Sequence, residues 1–530
     1  MKKIACIFAI MAILMIVGCK NKEVANDAGA TTDNFNKTGL PIVNDKITLN
    51  FVTSKPPQQQ KSTEDLQVVK DLEKKTNIHI NWDASSQGYA EKKNLMFASG
   101  DLPDAFFGSG SLSSSDLIEY GNQGMLIPLQ DLINEYAPNI KKILDSNPDI
   151  KKKITAPDGN IYSIPMVHAE PGNALPEVIF INKVWLDELG LEIPKTTDEF
   201  EKVLQAFKDK DPNGNGKSDE IPFSFLYGNS LNGIFSFYGA FGVLDQPNHI
   251  SVEDKEVSFT AITPEFKVAT AYFNSLNNQG LIDPEAFTHD RTVYFAKGRG
   301  ADTPLYGAFS GFIASNVIGP EFADQYIPIP PLEGPDGVKQ WREDEAIAMA
   351  KGSFSITSAN ENPTITMRWI DELYTEENSI QWTFGPNGTN MKKNDDGTYD
   401  YIEPTDGLSF DEFRCTESPC YSSARSLLPE TMQKIHPNEK DSTRLEYFDI
   451  YKPYMKKTVF PDVFFTLEDT QKLNTLTTDI IEFVDKKQAQ WIINGNIDAE
   501  WDEYLKKLDD MKLDEFVDVY QRNYDDFMSE

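Results

Sequence analysis

An α/β fold with a helical C-terminal region is what this sequence predicts, and three observations predict it. Strand-like and helix-like periodicities alternate from Ile47 onward. The stretch from about Asp469 to Met528 is amphipathic at helical spacing. The chain, at 530 residues, is long enough for two or more domains with substantial cores.

The elements follow in chain order. Lys2 and Lys3 make a short positive region, and Ile4 to Val17 run unbroken in apolar and small residues. That run is too short to span a bilayer comfortably, and its flanks match a cleaved export signal. It ends in Ile16-Val17-Gly18-Cys19, which looks like a bacterial lipobox, whose cysteine takes a diacylglycerol. The alternative is an ordinary signal peptide with an incidental cysteine. Residues 1–18 are read as a lipoprotein signal peptide and Cys19 as the lipidation site. Acyl chains contribute roughly 0.8 kcal/mol per buried CH₂. No later segment approaches a membrane span, so the expected location is extracytoplasmic, lipid-anchored to the cell membrane. Residues 19–45 are polar and lack apolar periodicity, and are read as a flexible tether.

From there Ile47-Thr-Leu-Asn-Phe-Val-Thr alternates like a strand, Glu64 to Lys75 has helical spacing, Asn77 to Trp82 is a strand again, and Tyr89 to Ala98 reads as a helix. This β-α-β-α opening implies a mostly parallel sheet. A helix is predicted at Gln130 to Tyr136, a turn and short strand over Ile154 to Pro165, and a helix over Thr197 to Lys208 opened by the capping signal Thr197-Asp-Glu-Phe. Trp491 and Trp501 are expected core anchors of the C-terminal helices.

Composition narrows the function. A formal charge of −33 repels polyanions and makes nucleic acid an unsuitable partner. Four cysteines are present; Cys6 leaves with the signal and Cys19 would be acylated, so Cys415 and Cys420 remain. Outside the cytoplasm that pair is expected to form a small disulfide loop, with two free thiols as the alternative. The five histidines are scattered and form no zinc motif.

The sharpest local motif runs from Asp209 to Glu220. Hard cations take six to eight oxygens, which alternating Asp and Asn with glycine at the tight turn supply from one short loop. Two registers fit, one counted from Asp209 and ending on Glu220 at its twelfth position. The preferred one starts at Asp211 and uses Asn213, Asn215, the Lys217 carbonyl, Asp219 and Glu220 around a structural Ca²⁺. The bland alternative is a turn-rich surface loop.

Several stretches together resemble the extracellular solute-binding proteins (family 1) of carbohydrate ABC importers, in particular the large LipO-type lipoproteins. They are Phe97-Ala-Ser-Gly-Asp-Leu-Pro-Asp104, Ile154 to Pro165, Ile181-Asn-Lys-Val-Trp-Leu-Asp-Glu-Leu-Gly-Leu191, Pro194 to Phe200, Asp211 to Pro222, Gly280-Leu-Ile-Asp-Pro-Glu285, Trp491-Ile-Ile-Asn-Gly495 and Trp501-Asp-Glu-Tyr504. The resemblance implies a two-lobe periplasmic-binding-protein-like fold (type II), with lobes joined by hinge strands and ligand between them. On that reading residues 46–165 and 297–345 form the N-terminal lobe, and 166–296 and 346–530 the C-terminal lobe. Tyr162 to Val167 is the first crossing, Leu305–Ile313 returns the chain to the first lobe, and Ala346 to Ile356 crosses again. Relatives that bind alginate or glycosaminoglycan fragments carry a calcium site similar to this loop, in the preferred register. The sequence departs from the family at Lys183-Val184-Trp185 and at Gly385-Pro-Asn-Gly388.

The resemblance implies a cell-surface receptor, expected as a monomer, that delivers a carbohydrate, expected to be an oligosaccharide, to membrane permease subunits without catalysis. Sugar clefts need aromatic platforms and planar polar side chains. Candidates in expected cleft loops are Trp82, Gln87, Tyr89, Asp104, Tyr162, Tyr227, Asn229, Tyr238, Trp341 and Arg342. Trp82 and Tyr89 flank a polar loop at a strand end, where open α/β sheets bind ligands. Arg342 could pair with a uronic-acid carboxylate. Two alternatives stand beside this: a secreted glycoside hydrolase with two carboxylates across a cleft, and a peptide receptor on the same scaffold.

Overall fold

The computed structural model describes residues 34–529 apart from 301, 405–407, 409 and 421. The signal segment, Cys19 and the tether up to residue 33 lie outside the described residues. Two sheets organise the chain, each with its own apolar core.

The first sheet has six strands, in the order Ser426–Leu427, Ile164–Ala169, Ile347–Ile356, Ala105–Leu112, Ile47–Ser54, Ile78–Ser85. The three N-terminal strands run parallel, as helical crossovers require. Within this sheet only Ile347–Ile356 runs antiparallel to its neighbours, so the sheet is mixed but mostly parallel, as expected. Both faces are covered: Phe51 and Phe107 pack on one side with Trp82, Phe354 and Trp369, while Val52 and Phe106 pack on the other with Phe97 and Leu117. That double burial explains the near-continuous apolar strands.

The second sheet has the order Tyr326–Pro328, Val178–Asn182, Tyr306–Gly311, Ile221–Ser224. The helices Pro264–Asn278, Leu467–Asn494, Ile497–Asp510 and Leu513–Ser529 close its core. There Trp491 and Trp501 sit with ring centroids 5.9 Å apart. Helix Thr197–Asp209 is capped by Thr196, one residue before the expected signal, through a 3.1 Å bond from the Glu199 N–H.

These sheets correct the expected lobe boundaries. The strand Tyr306–Gly311 pairs with Val178–Asn182 and Ile221–Ser224, so residues 305–313 stay in the second lobe. Trp341 belongs to the same core. Conversely, Ile347–Ile356 and the helices Pro363–Leu373 and Glu376–Phe384 belong to the first lobe, although 346–530 was assigned to the other. The cause is that strands buried on both faces look alike in sequence, so periodicity cannot say which sheet a strand joins. The first crossing is likewise displaced: Ile164–Ala169 is still a first-sheet strand, and the chain crosses over 170–177. It returns over 344–346 and leaves again over 436–438 into helix Glu439–Tyr451, whose Tyr447 and Tyr451 enter the second core.

The described part of the expected tether is not free either. Ile42 and Val43 are wholly buried in the first core, the Ile42 N–H donates to the Thr76 carbonyl at 3.0 Å, and Asn77 holds the Val43 and Asn44 carbonyls. The apolar Leu40-Pro-Ile-Val43 run supplies the surface that docks.

Candidate functional site

Loops at the carboxyl ends of the second lobe's parallel strands meet a first-lobe strand and the crossings at one cavity of about 580 Å³. Ser230 and Leu231 follow the Ile221–Ser224 strand, and Phe312 follows Tyr306–Gly311. Ala348 comes from the first sheet, where Ile347–Ile356 extends past Leu112, and Asn173, Asp344 and Glu345 come from the crossings. This is where open α/β sheets place ligands.

Arg444 fixes the crossing side of that cavity. From helix Glu439–Tyr451 its guanidinium donates to the carbonyls of Gly172 (3.1 Å), Phe312 (2.6 Å) and Pro176 (3.2 Å), and lies 3.8 Å from the Phe312 ring centroid. Gly172 is required by this approach, since a Cβ there would stand 2.7 Å from Arg444 Cγ. Burial lowers the Arg444 pKa to about 9, still charged at neutral pH.

A second candidate is the Asp211–Glu220 loop. Asp211 accepts from the Asn215 and Gly216 N–H groups at 3.1 and 2.7 Å, and Asp219 accepts from the side-chain amides of Asn213 and Asn215 at 3.2 and 3.0 Å. Gly216, at φ +77°, makes the turn. Hydrogen bonds from Asn215 hold the Asp219 carboxyl below its usual range, whereas burial, with the charges of Asp211 and Asp219, pushes Glu220 up. Both Glu220 oxygens are buried without a hydrogen-bond partner. Among the described residues no group of three or more His, Cys, Asp or Glu gathers at metal-holding distances. A cation here would therefore draw on amide and main-chain oxygens as well, and the oxygen-only donor set with two unmatched Glu220 oxygens fits a hard dication.

Residues 56–380 match the model of the bacterial extracellular solute-binding protein family. The chain belongs to that family. This solute-binding protein is 36% identical, over 98% of its length and 97% of the relative's, to the fructooligosaccharide ABC transporter substrate-binding protein FusA of Streptococcus pneumoniae. Lipoprotein LipO of Bacillus subtilis is 25% identical over 74% of each chain. The structure of FusA with kestose superposes with a TM-score of 0.80, covering 91% of this chain and all of that one at 36% identity. A FusA EF-hand mutant with fructo-nystose gives 0.81 at 35% identity, with the same coverage of each chain.

The sequence-predicted ligand residues scatter across this solute-binding protein. Trp82 is in the first core, edge-on to Phe51 at 5.6 Å, with its indole N–H buried and unpartnered. Tyr162 is also core, its hydroxyl 2.7 Å from Asp158. Burial and the Asp158 charge raise its pKa to about 12. Asp104 accepts from the Asn50 N–H at 2.7 Å, at the amino end of its strand and away from the cleft. Tyr238 is fully buried against Thr270 and Gln488. The Tyr227 hydroxyl lies 2.7 Å from both the Asp485 carbonyl and Gln488 Oε1, and Asn229 caps its own turn by accepting from Leu231 and Asn232. Gln87 is exposed and Tyr89 half-buried, bonded to the Ser111 carbonyl at 3.1 Å, both at the carboxyl edge of the first sheet.

Trp341 donates its indole N–H to the Glu177 carbonyl and packs against Tyr451. Arg342 touches the cavity but is almost wholly buried. It bonds the Asp245 carbonyl at 3.0 Å, and its guanidinium stands 2.9 Å from Asp344 and 3.5 Å from Glu177. It is therefore neutralised within the protein and unavailable to a uronate. Cys415 and Cys420 form a buried disulfide with Cα atoms 5.0 Å apart. The residues that sequence reasoning missed, Asn173, Phe312, Asp344, Glu345 and Ala348, all sit at or beside crossings, and carry no local pattern of their own.

Proposed function

We propose that this chain is the oligosaccharide receptor of an ABC importer, and that it takes a neutral, fructooligosaccharide-like chain between its lobes. The observation that carries the neutral class is the cavity's charge. Its polar lining is Asn173, Ser230, Gln246, Asp344 and Glu345, and its cation, Arg342, is matched internally. Asp344 is matched by Arg342 and Glu345 by Lys457 at 3.1 Å, so the lining offers a uronate no unpaired cation, while its oxygens accept hydroxyl protons. Full-length similarity to FusA supports the fructan class.

Binding closes the lobes about the three crossings, and the closed form is what the permease recognises. No residue is assigned a catalytic role; incubated sugar is expected back unchanged by chromatography. The protein acts as a monomer. Ca²⁺ is held by Asp211, Asn213, Asn215, the Lys217 carbonyl, Asp219 and Glu220, bracing the loop between helix Thr197–Asp209 and strand Ile221–Ser224. Cys19 carries the lipid; Cys19→Ala is expected to move the protein from the membrane fraction to the medium.

Isothermal titration with kestose and with trigalacturonate tests the ligand class. Binding of kestose alone is expected. Tighter binding of the uronate would sink the neutral reading.

A further inference from the structure

Acidic residues outnumber basic ones by 83 to 50 in this chain, so an exposed base without a carboxylate partner is conspicuous. The helix Arg291–Arg299 carries two. Its bases are Arg291, Lys297 and Arg299, with no acid among them. Lys297 is matched on the inner side, 3.0 Å from Asp283 and 2.6 Å from Glu285. Arg291 and Arg299 are exposed, and among the described residues neither has a carboxylate within 4.0 Å. Spaced four apart, Arg291, Phe295 and Arg299 share one helix face. The two guanidiniums lie 5.0 and 5.2 Å from the Phe295 ring centroid, so ring and charges form a single stripe. Thr292, Val293 and Ala296 widen the exposed face, Val293 at 46% exposure.

Both ends of this helix are tied to loops of the cavity. Just before it, His289 Nε2 lies 2.9 Å from the Phe225 carbonyl oxygen, at the start of the loop that carries Ser230 and Leu231. At its end Arg299 donates to the Asn316 carbonyl, four residues beyond the cavity residue Phe312. Gly298 is required at that contact, since a Cβ there would stand 2.5 Å from the Val317 carbonyl oxygen. The stripe therefore lies on the outer wall of the second lobe beside the cleft, and closure of the lobes would carry it toward the first.

We propose that the Arg291–Phe295–Arg299 face docks on an acidic extracellular surface of the importer's membrane subunits. Arginine and aromatic side chains are enriched at the centre of protein contacts, and two unmatched guanidiniums call for carboxylates that this chain does not supply. An anionic bilayer is the poorer partner: it is an extended plane of the same sign as the chain's −33, whereas a permease loop meets only the stripe. The inference rests on the receptor reading.

Uptake tests it, with labelled kestose or, if calorimetry shows that wild type does not bind that sugar, the first of raffinose, maltotriose and xylotriose that it binds. Source cells lacking the gene for this chain receive wild type, Arg291→Glu/Arg299→Glu or Arg291→Lys/Arg299→Lys, at equal levels in the membrane fraction. The reversed variant is expected to lower uptake tenfold or more, with its Tm unchanged and its sugar affinity within twofold of wild type. The lysine variant keeps the charge and is expected to stay within threefold of wild-type uptake. Arg291→Glu alone, at a residue that holds no backbone group, is expected to lower uptake at least threefold even where the double variant folds poorly. Wild-type uptake by the reversed variants would overturn the docking face, as would a loss of sugar affinity equal to the loss of uptake. Binding of wild type to phosphatidylglycerol vesicles that the reversal abolishes would assign the face to lipid and overturn it too. Failure of wild type to bind any of the four sugars, or to restore uptake of one it binds, would instead overturn the receptor reading, and the docking face with it.

Discussion

Each lobe buries a polar cluster beside the cleft, and the two are finished differently. In the second lobe, Arg342 lies between Glu177 and Asp344, and His249 between Asp245 (2.9 Å) and Asp485 (3.5 Å), so each charge has a counter-charge within 3.5 Å. In the first lobe, His168 Nε2 is buried without a hydrogen-bond partner, and burial together with the charges of Arg425 and Arg414 disfavours its charged form. The contrast teaches that a buried polar residue points to ligand only when the protein has not already satisfied it. Glu220, with two unmatched oxygens in the Asp211–Glu220 loop, belongs with the second kind.

Breaking the matched cluster should produce the largest effect. Arg342→Ala strands the fully buried Glu177 carboxylate, and removing one partner of a buried pair costs about 3–5 kcal/mol. Urea denaturation is expected to show that loss, and a change under 1 kcal/mol would mean the pair is not structural. The loop comes next. A site filled at a hundred times its Kd stabilises by about 2.7 kcal/mol. Chelation should accordingly lower the Tm of wild type and leave Glu220→Ala unmoved; equal responses would remove calcium from the loop.

The two histidines sharpen the comparison through pH. His249 is held at about 9 because Asp245 and Asp485 outweigh its burial. Its folded pKa is raised, so its contribution is full below the unfolded value near 6.5 and fades as pH rises through 9. His168 is depressed to about 3, so its neutral form favours folding above 6.5, and that advantage fades as pH falls toward 3. Urea midpoints at pH 5, 7 and 9 should therefore show His249→Gln most damaging at pH 5, and His168→Phe most beneficial there. Each slope should be on the order of 1 kcal/mol per pH unit at most. Slopes of the same sign in the two variants would erase the distinction. Smallest of all, Tyr227→Phe removes one hydroxyl from the Asp485–Gln488 contact and should cost about 1 kcal/mol, measured as a shift in urea midpoint, with kestose affinity unchanged. An affinity loss would return Tyr227 to the cleft.

Legibility followed the range of the interaction. Ile47–Ser54, Ile78–Ser85 and the helix Tyr89–Ser99 could be read because alternation and helical spacing are local. The oxygen-rich Asp211–Glu220 loop was legible because a single short segment carries it whole. The cleft was not. Trp82 and Tyr238 have the chemistry of sugar platforms, yet their faces are taken by Phe51, Phe107, Phe266 and Phe273. Ala348, without any signal of its own, lines the cavity because its strand overhangs the sheet edge.

The amino-acid sequence by itself determined the α/β class, the strongly acidic charge, the helical C-terminal region and the oxygen-rich loop, since composition and short-range periodicity encode them. Tertiary structure alone decided that Tyr306–Gly311 stays in the second sheet and Ile347–Ile356 returns to the first, and therefore which residues meet at the crossings. It also decided that Arg342 is spent on Glu177 and Asp344 while His168 is left open. The reason is physical: the availability of a side chain depends on partners far away in sequence, and no local pattern records them.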